Sequence, residues 1–419
     1  MLDINFIRQN LEKIKQNCRA RGVNLDINQL FYLDNERKKL IGEVENLRAK
    51  RNKLSHIGPT EEKTVERSRA LKKEIKEKES ALKKTEEELT GLLRKIPNLP
   101  FDDVPLGGEE ANVVVKTKGK IPKFNFKPLS HLEIGKKLDL IDTERAAKVS
   151  GSRFGYLKKE AALLEFALIC FVFEFLTKKG FLPVIPPVLV KPEIMEAMGY
   201  IDTKEDLAER YFLEKDKLFL VGTAEQSVVP MHRNEIFEDG SLPKRYIAFS
   251  SCFREEAGSY GKDTTGILRV HQFDKIEMIS YAKPSQSKEE QQFLIAQEEG
   301  IFRALGIPYR LVHLSSGDMC RVSASTFDIE AWIPSQNRYR EVTSCSNCTD
   351  FQARRLNIRY RNRKTGKTEF VHILNATGLA LGRAIIAIIE NFQEKDCRIK
   401  IPKVLRRYLP GKPKTIPFL

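Results

Sequence analysis

Between Phe249 and Met278 the chain reads FSSCFREEAGSYGKDTTGILRVHQFDKIEM, with cations, carboxylates and aromatic rings at close spacing. An apolar run ends in Phe253-Arg254-Glu255-Glu256. A polar, Gly-containing loop follows from Ala257 to Gly266, and an alternating run starts at Leu268. That order predicts strand, loop, strand. Strand side chains alternate faces with period two, so Arg269, His271, Phe273, Lys275 and Glu277 are expected on one face. Such a face is poor core material. It fits a floor for a triphosphate, a base and an amine, and it fits a charged solvent face equally well.

Elements on either side must position this hairpin. Upstream, a short helix is expected over Asn5–Cys18 and a long one from near Asp26. Leu30, Leu33, Arg37, Leu40, Val44, Leu47, Arg51 and Leu54 step three and four, an a/d seam interrupted by two arginines. Ser55-His56-Ile57-Gly58-Pro59-Thr60 breaks it, since Pro59 lacks the amide hydrogen of a helix interior. A second seam runs Leu71, Ile75, Lys78, Leu82, Thr85, Leu89, Leu92, Ile96. The two make an antiparallel helical hairpin over about 27–96, each arm on the order of 45–50 Å at about 1.5 Å per residue. Its outer faces carry Lys38, Lys39, Arg48, Lys50, Lys53, Lys72, Lys73, Lys76, Lys83 and Lys84. They read as a solvated exterior with Glu–Lys pairs or as an arm that tracks phosphates.

Pro97 to Leu129 is rich in Pro and Gly, with a strand-like Val113-Val114-Val115. Ala161–Lys178 reads as an apolar helix and Gly180–Leu189 as an extended, proline-bearing segment for a sheet edge or interface. Short strands are expected at Leu218–Val221, Tyr309–Leu314, Ser325–Ile333 and Phe370–Leu374, one more ends in Glu341-Val342-Thr343-Ser344, and helices cover Glu289–Leu305 and Ala384–Phe392. Strands in meanders favour an antiparallel α+β domain. Neither a G-x-x-x-x-G-K-[ST] loop nor a G-x-G-x-x-G fingerprint occurs, so a nucleotide site here is neither P-loop nor Rossmann. The expected domains are 1–100, a lead-in at 101–130, and 131–419.

At 419 residues the chain exceeds one typical domain, and its 41% hydrophobic content is ordinary for a globular protein. A formal net charge of +15 favours an anionic partner, nucleic acid first. The start, MLDINFIRQN, lacks a secretory h-region and does not resemble a transit peptide. No apolar run approaches the roughly 20 residues of a membrane span. Seven cysteines, an odd number, point to free thiols and a cytoplasmic location. Cys345-x-x-Cys348 has no second Cys or His pair to complete a zinc site, so zinc is not expected.

In combination these features resemble a seryl-tRNA synthetase, a class II aminoacyl-tRNA synthetase, along essentially the whole chain. Gly180–Leu189 with Pro187 looks like motif 1, Phe253-Arg254-Glu255-Glu256 through Glu277 like motif 2, and Gly378-Leu379-Ala380-Leu381-Gly382-Arg383 like motif 3. Thr223-Ala224-Glu225 and Glu341-Val342-Thr343-Ser344-Cys345-Ser346-Asn347 complete the pattern. The resemblance implies a homodimer, an antiparallel catalytic sheet and an N-terminal arm, at Lys38, Lys39, Arg48, Lys72, Lys73 and Lys76, that grips tRNA(Ser), with tRNA(Sec) a further candidate.

It further implies that ATP and L-serine react to seryl-adenylate before transfer to tRNA. The serine carboxylate is already ionised at pH 7, so the site must align two anions and neutralise phosphoryl charge. Arginine suits that task. Arg254 is assigned to the α-phosphate, Arg269 to the γ-phosphate, Arg383 joins them, and Phe273 stacks on adenine. Glu256 is assigned to the adenine amino group or the loop backbone, with Glu255, Val342 and Thr343 beside ATP. Glu341 and Ser344 are the implied Mg²⁺ ligands. They differ in parity, so a bulge or bend must lie between them, with Cys345-Ser346-Asn347 as a turn. The implied serine pocket is Thr223, Ala224, Glu225, Arg254, Glu277, Asn375 and Thr377.

Overall fold

The structure, a computed structural model, describes residues 1–55, 62–257 and 266–418. The expected helix break from His56 to Thr60 and most of the loop from Ala257 to Gly266 lie outside them. The chain divides into two compact units, Met1–Pro97 and Asn98–Leu419.

In the first unit two short helices, Ile4–Gln9 and Leu11–Ala20, replace the single helix expected over Asn5–Cys18. They part at Asn10, whose side-chain amide donates to the Phe6 carbonyl at 2.9 Å. That bond terminates the first helix, the usual effect of Asn competing for backbone groups. Two long helices follow, α1 (Ile27–Ser55) and α2 (Glu62–Lys95). Asp26 caps α1 by accepting from the Asn28 N–H at 2.9 Å. The seam leucines Leu30, Leu33 and Leu47 are buried with Val44, and Ile75 and Leu89 are buried on α2. Arg37 interrupts the seam because its guanidinium pairs with Asp34 at 3.1 Å. Ion pairs Arg48–Glu79 and Lys78–Glu43, each at 2.7 Å, tie the arms together.

The second unit is built on one eight-stranded sheet. Its helices are α3 (Glu160–Thr177), α4 (Ser287–Leu305) and α5 (Leu381–Asn391). Its strands are β1 (Val113–Lys118), β2 (Leu182–Val184), β3 (Lys244–Phe253), β4 (Gln272–Ala282), β5 (Tyr309–His313), β6 (Ser325–Ile333), β7 (Arg338–Asn347) and β8 (His372–Ala380). Their order is β1-β5-β6-β7-β8-β4-β3-β2. All neighbours are antiparallel except β2 and β3. The Val-rich part of the lead-in is therefore an edge strand of this sheet, paired with β5. Pro183 sits on β2 at the opposite edge, where its missing N–H costs no ladder bond.

One face of the sheet is apolar. Ile276 and Met278 from β4, Cys345 from β7 and Ala376 from β8 join Leu164 and Leu168 of α3, Leu294 and Phe302 of α4, and Ile385 and Ile388 of α5 in a single core. Burying these side chains supplies the main driving force for the unit. The polar residues of the same strands are thereby left on the other face.

Candidate active site

That other face floors a cavity of about 780 Å³. Phe273, Lys275 and Glu277 line it from β4, as period two requires. The alternation does not extend back to Leu268, because β4 begins only at Gln272 and the preceding residues form a turn and bends. Arg269 reaches the cavity from such a bend. His271 instead packs its ring 5.3 Å from Phe154, with Nδ1 3.0 Å from the Arg254 carbonyl oxygen.

Two β-bulges shape the floor. On β7, Thr343 pairs with Ile329 but Glu341 pairs with Glu330, so Val342 is the extra residue. Glu341 and Ser344 therefore both line the cavity despite opposite parity. The bulge precedes Thr343, and Cys345 to Asn347 form no turn: they continue β7 and pair with β8. On β8 Gly378 is the extra residue, between pairs Ile276–Leu379 and Glu277–Thr377. A Cβ there would stand 3.1 Å from Ile276 Cγ2 and 3.3 Å from its carbonyl oxygen. Asn375, Thr377 and Ala380 all face the cavity as a result.

Cations and carboxylates are interleaved across this floor. Arg254 donates from Nε and Nη2 to the Gly222 carbonyl at 3.3 and 3.2 Å, and its guanidinium lies 5.2 Å from the Phe273 ring centre. Arg269 pairs with Glu256, whose backbone is left-handed at φ 52°. Arg383, in the first turn of α5, pairs with the Glu341 carboxylate at 3.1 Å. Lys275 pairs with Glu277, which also accepts from the Thr223 hydroxyl at 2.7 Å. Glu225 accepts from Tyr200 at 2.7 Å and Gln352 at 2.8 Å.

Burial sets the charge states. It pushes the Glu225 carboxyl up, and it pushes Asp328, which faces Ser344 across the β6–β7 ladder, well up, with the Glu341 charge adding to the effect. Burial acts most strongly on Glu341, to raise it, but the charge and hydrogen bond of Arg383 with the charges of Arg254 and Lys275 together outweigh it and hold that carboxyl below the usual range; half of its side chain remains open to solvent.

Thirteen of the sixteen ligand-site residues expected from sequence line this one cavity: Thr223, Glu225, Arg254, Glu256, Arg269, Phe273, Glu277, Glu341, Val342, Ser344, Asn375, Thr377 and Arg383. Three do not. Ala224 is buried in an apolar cluster ahead of the short helix Glu225–Val228. Glu255 donates its N–H to the Glu209 carbonyl at 3.2 Å. Thr343, just past the bulge, is buried and absent from the lining. The cavity adds Tyr200, Arg210, Gln226 and Asp328. Asp328 was readable from parity with Thr326 and Glu330; Tyr200 and Arg210 stand in irregular segments that carry no periodic signal.

A carboxylate and a hydroxyl on one face, Glu341 and Ser344, fit a hard cation that keeps most of its other oxygen ligands from substrate and water. Cys345 and Cys348 are buried thiols: Cys345 Sγ lies 3.9 Å from the Gln291 carbonyl, and Cys348 Sγ lies 3.7 Å from Asn375 Nδ2. The six basic residues expected on the arm, Lys38, Lys39, Arg48, Lys72, Lys73 and Lys76, are all exposed. Lys38 is paired with Asp34 at 2.8 Å and Arg48 with Glu79.

Comparison with known proteins gives the same picture. Residues 211–392 match the family model of the tRNA synthetase class II core domain (G, H, P, S and T), and residues 1–100 match that of the seryl-tRNA synthetase N-terminal domain. The chain is 43% identical over 420 residues to a serine–tRNA ligase of Thermodesulfovibrio yellowstonii, covering 98% of this chain and 99% of the relative. It is 45% identical over 419 residues to a serine–tRNA ligase of Syntrophobacter fumaroxidans, covering 98% of each. A solved structure of seryl-tRNA synthetase from Pyrococcus horikoshii complexed with ATP superposes with a TM-score of 0.90 at 39% identity, covering 99% of both chains. A cytoplasmic serine–tRNA ligase from Naegleria fowleri in complex with AMP gives 0.86 at 33% identity, covering 100% of this chain and 99% of the other.

Proposed function

The chain belongs to the serine–tRNA ligase family, and on that premise we propose that it activates L-serine with ATP in the β4–β7–β8 cavity and transfers the seryl group to tRNA(Ser). The observation that carries this reading is the convergence of Arg254, Arg269, Arg383 and Phe273 on one cavity that also holds Glu225 and Glu277.

The first step needs no general base, because the attacking serine carboxylate is ionised. It attacks the α-phosphorus and expels pyrophosphate. Arg254 holds the α-phosphoryl oxygens, Arg269 the terminal phosphate, and Arg383 the opposite flank, so that charge shifting onto non-bridging oxygens meets fixed cations. Phe273 offers its ring to adenine. Glu341 and Ser344 would hold Mg²⁺, which would supply neutralisation of phosphate charge. Glu277 and Thr377 engage the serine hydroxyl, with Thr223 beside them. Those polar groups are left unpaired by alanine, which disfavours it. Pairing Arg269 with Glu256 and Arg383 with Glu341 keeps the cations placed before substrate arrives.

In the second step the terminal ribose hydroxyl of tRNA attacks the seryl carbonyl, and a phosphate oxygen of the adenylate takes the proton. The helical hairpin of the N-terminal unit supports a tRNA acceptor, since its exposed lysines suit an RNA backbone. tRNA(Sec) is a second candidate acceptor. Two copies pair through the β2 edge and the segment that follows it, where Leu182 and Ile185 are exposed at 51% and 80%. No helix among the described residues is long and apolar enough to cross a membrane, and we place the enzyme in the cytoplasm. Serine-dependent exchange of labelled pyrophosphate into ATP tests the reading: the parent exchanges with serine and not with glycine, alanine or threonine, and Arg254→Ala loses nearly all activity. Exchange driven equally by another amino acid, or none at all, overturns it.

A further inference from the structure

Most cations of the cavity have acidic partners, but one corner is built otherwise. Arg269, Arg383 and Lys275 each pair with a carboxylate. Arg210, on the segment before Phe212, holds no ion pair or side-chain hydrogen bond among the described residues, and its Nε is buried without a partner. It stands beside Arg254: a side chain on Gly222 would begin 3.2 Å from Arg210 Nη1 and 3.6 Å from Arg254 Cγ. Next to it, Gln226 spends its side-chain oxygen on the Gly222 N–H at 2.8 Å, while its fully buried Nε2 has no partner. Two like charges and a spare amide donor around one glycine leave an uncompensated positive charge and unpaired N–H groups, a setting that favours an anion.

Tyr200 fixes which anion. Its ring lies under the Arg210 guanidinium at 5.2 Å, and its hydroxyl donates to Glu225 at 2.7 Å. A cation and a carboxylate are thus held one tyrosine apart, facing the same cavity. A cation and a carboxylate on either side of one ring offer separate partners to the carboxylate and the ammonium of one α-amino acid. We infer that Arg210 binds the substrate's α-carboxylate while Glu225, across Tyr200, takes its ammonium. The inference rests on the serine-activating reading above, in which Arg254 holds the α-phosphate and no residue is given the carboxylate: Arg210 orients the nucleophilic carboxylate, and Arg254 stays with the α-phosphate. Burial lowers the Arg210 pKa, with the nearby Arg254 charge also acting in that direction, and a bound carboxylate relieves both.

The test is binding of L-serine and of L-serinamide, which keeps the amine and hydroxyl but carries no negative charge, to the full chain and its Arg210→Met and Arg210→Lys variants. Calorimetry reads the binding, and thermal melts confirm folding. Arg210→Met is expected to weaken L-serine by roughly tenfold or more, with Arg210→Lys intermediate, while L-serinamide and ATP stay within about twofold. Equal weakening of serine and serinamide, weakening of ATP alone, or no change in serine binding overturns the inference. A parent chain without serine-dependent exchange overturns the underlying reading instead.

Discussion

Arg383 donates to the Glu341 backbone carbonyl at 2.9 Å and pairs with the Glu341 carboxylate at 3.1 Å, so α5 and the β7 bulge are tied through one guanidinium. Removing Arg383 deletes a cation of the cavity and frees the Glu341 carboxylate, the side chain proposed above as a Mg²⁺ ligand. Arg383→Ala is expected to lower pyrophosphate exchange by about 10²–10³-fold. Because the pair acts as a unit, Arg383→Ala combined with Glu341→Gln should cost far less than the product of the two single losses. Steady-state exchange rates across the four proteins check this, and simple additivity contradicts it.

Phe273 presents one ring face beneath Arg254. Base stacking on an aromatic ring is worth about 1–3 kcal/mol by alanine substitution. Phe273→Leu keeps apolar volume and removes the ring, so KM for ATP should rise while KM for serine holds. Phe273→Tyr should restore most of the loss. Equal rises in both KM values would mean that the floor had collapsed.

Much of this site was legible because β4 obeys period two from Gln272 onward, and because Glu341 and Ser344, at odd spacing, demanded a bulge. The position of that bulge was not legible. It falls at Val342, where an apolar residue next to Glu341 gives no local sign of it, and is visible only through the β6 register. Arg269 lines the expected cavity, but from a bend rather than a strand. Val113–Lys118 looked like part of a linker because its pairing partner lies almost 200 residues away, at Tyr309–His313. Arg210 and Tyr200 escaped notice because side chains on irregular segments are placed by tertiary packing alone.

Outside the cavity, Asp202 and Arg355 form a buried pair, 2% and 5% exposed, at 2.8 Å. The same Arg355 Nη1 also donates to the Glu196 carbonyl at 2.9 Å, joining the helix Pro192–Met198 to Phe351–Leu356. Breaking one side leaves a buried cation, a loss of about 3–5 kcal/mol. Asp202→Ala should show that loss in urea unfolding of the second unit. A change below about 1 kcal/mol would mean that the Arg355 charge finds water.

Glu165 on α3 is pushed up to about 7 by burial, with the Asp274 charge adding to it. The native state therefore keeps this proton up to about pH 7, whereas the unfolded chain releases it near 4.5. A raised carboxyl pKa stabilises the fold at low pH, and that contribution fades as pH rises through about 7. Glu165→Gln removes the titration. Its melting temperature relative to the parent should climb between pH 5 and pH 8, as the parent acquires a buried charge that the amide lacks. A difference constant with pH would show that Glu165 is already solvated.

Separation of the two activities is the sharpest check on the arm. Lys38 and Arg48 are engaged with Asp34 and Glu79, so their charge partly serves the hairpin itself. Lys39, Lys72, Lys73 and Lys76 are exposed with no ion pair among the described residues. Changing Lys72, Lys73 and Lys76 together to Gln should leave pyrophosphate exchange intact and weaken tRNA binding, reducing the salt slope by roughly 0.7–0.9 for each phosphate that is no longer neutralised. Arg48→Gln should instead act on the stability of the hairpin. Deleting Leu33 to Leu93 carries the same logic to its limit, with exchange retained and charging of tRNA abolished. If exchange and charging fall together, the arm is a structural element of the enzyme and its lysines are only a solvated exterior.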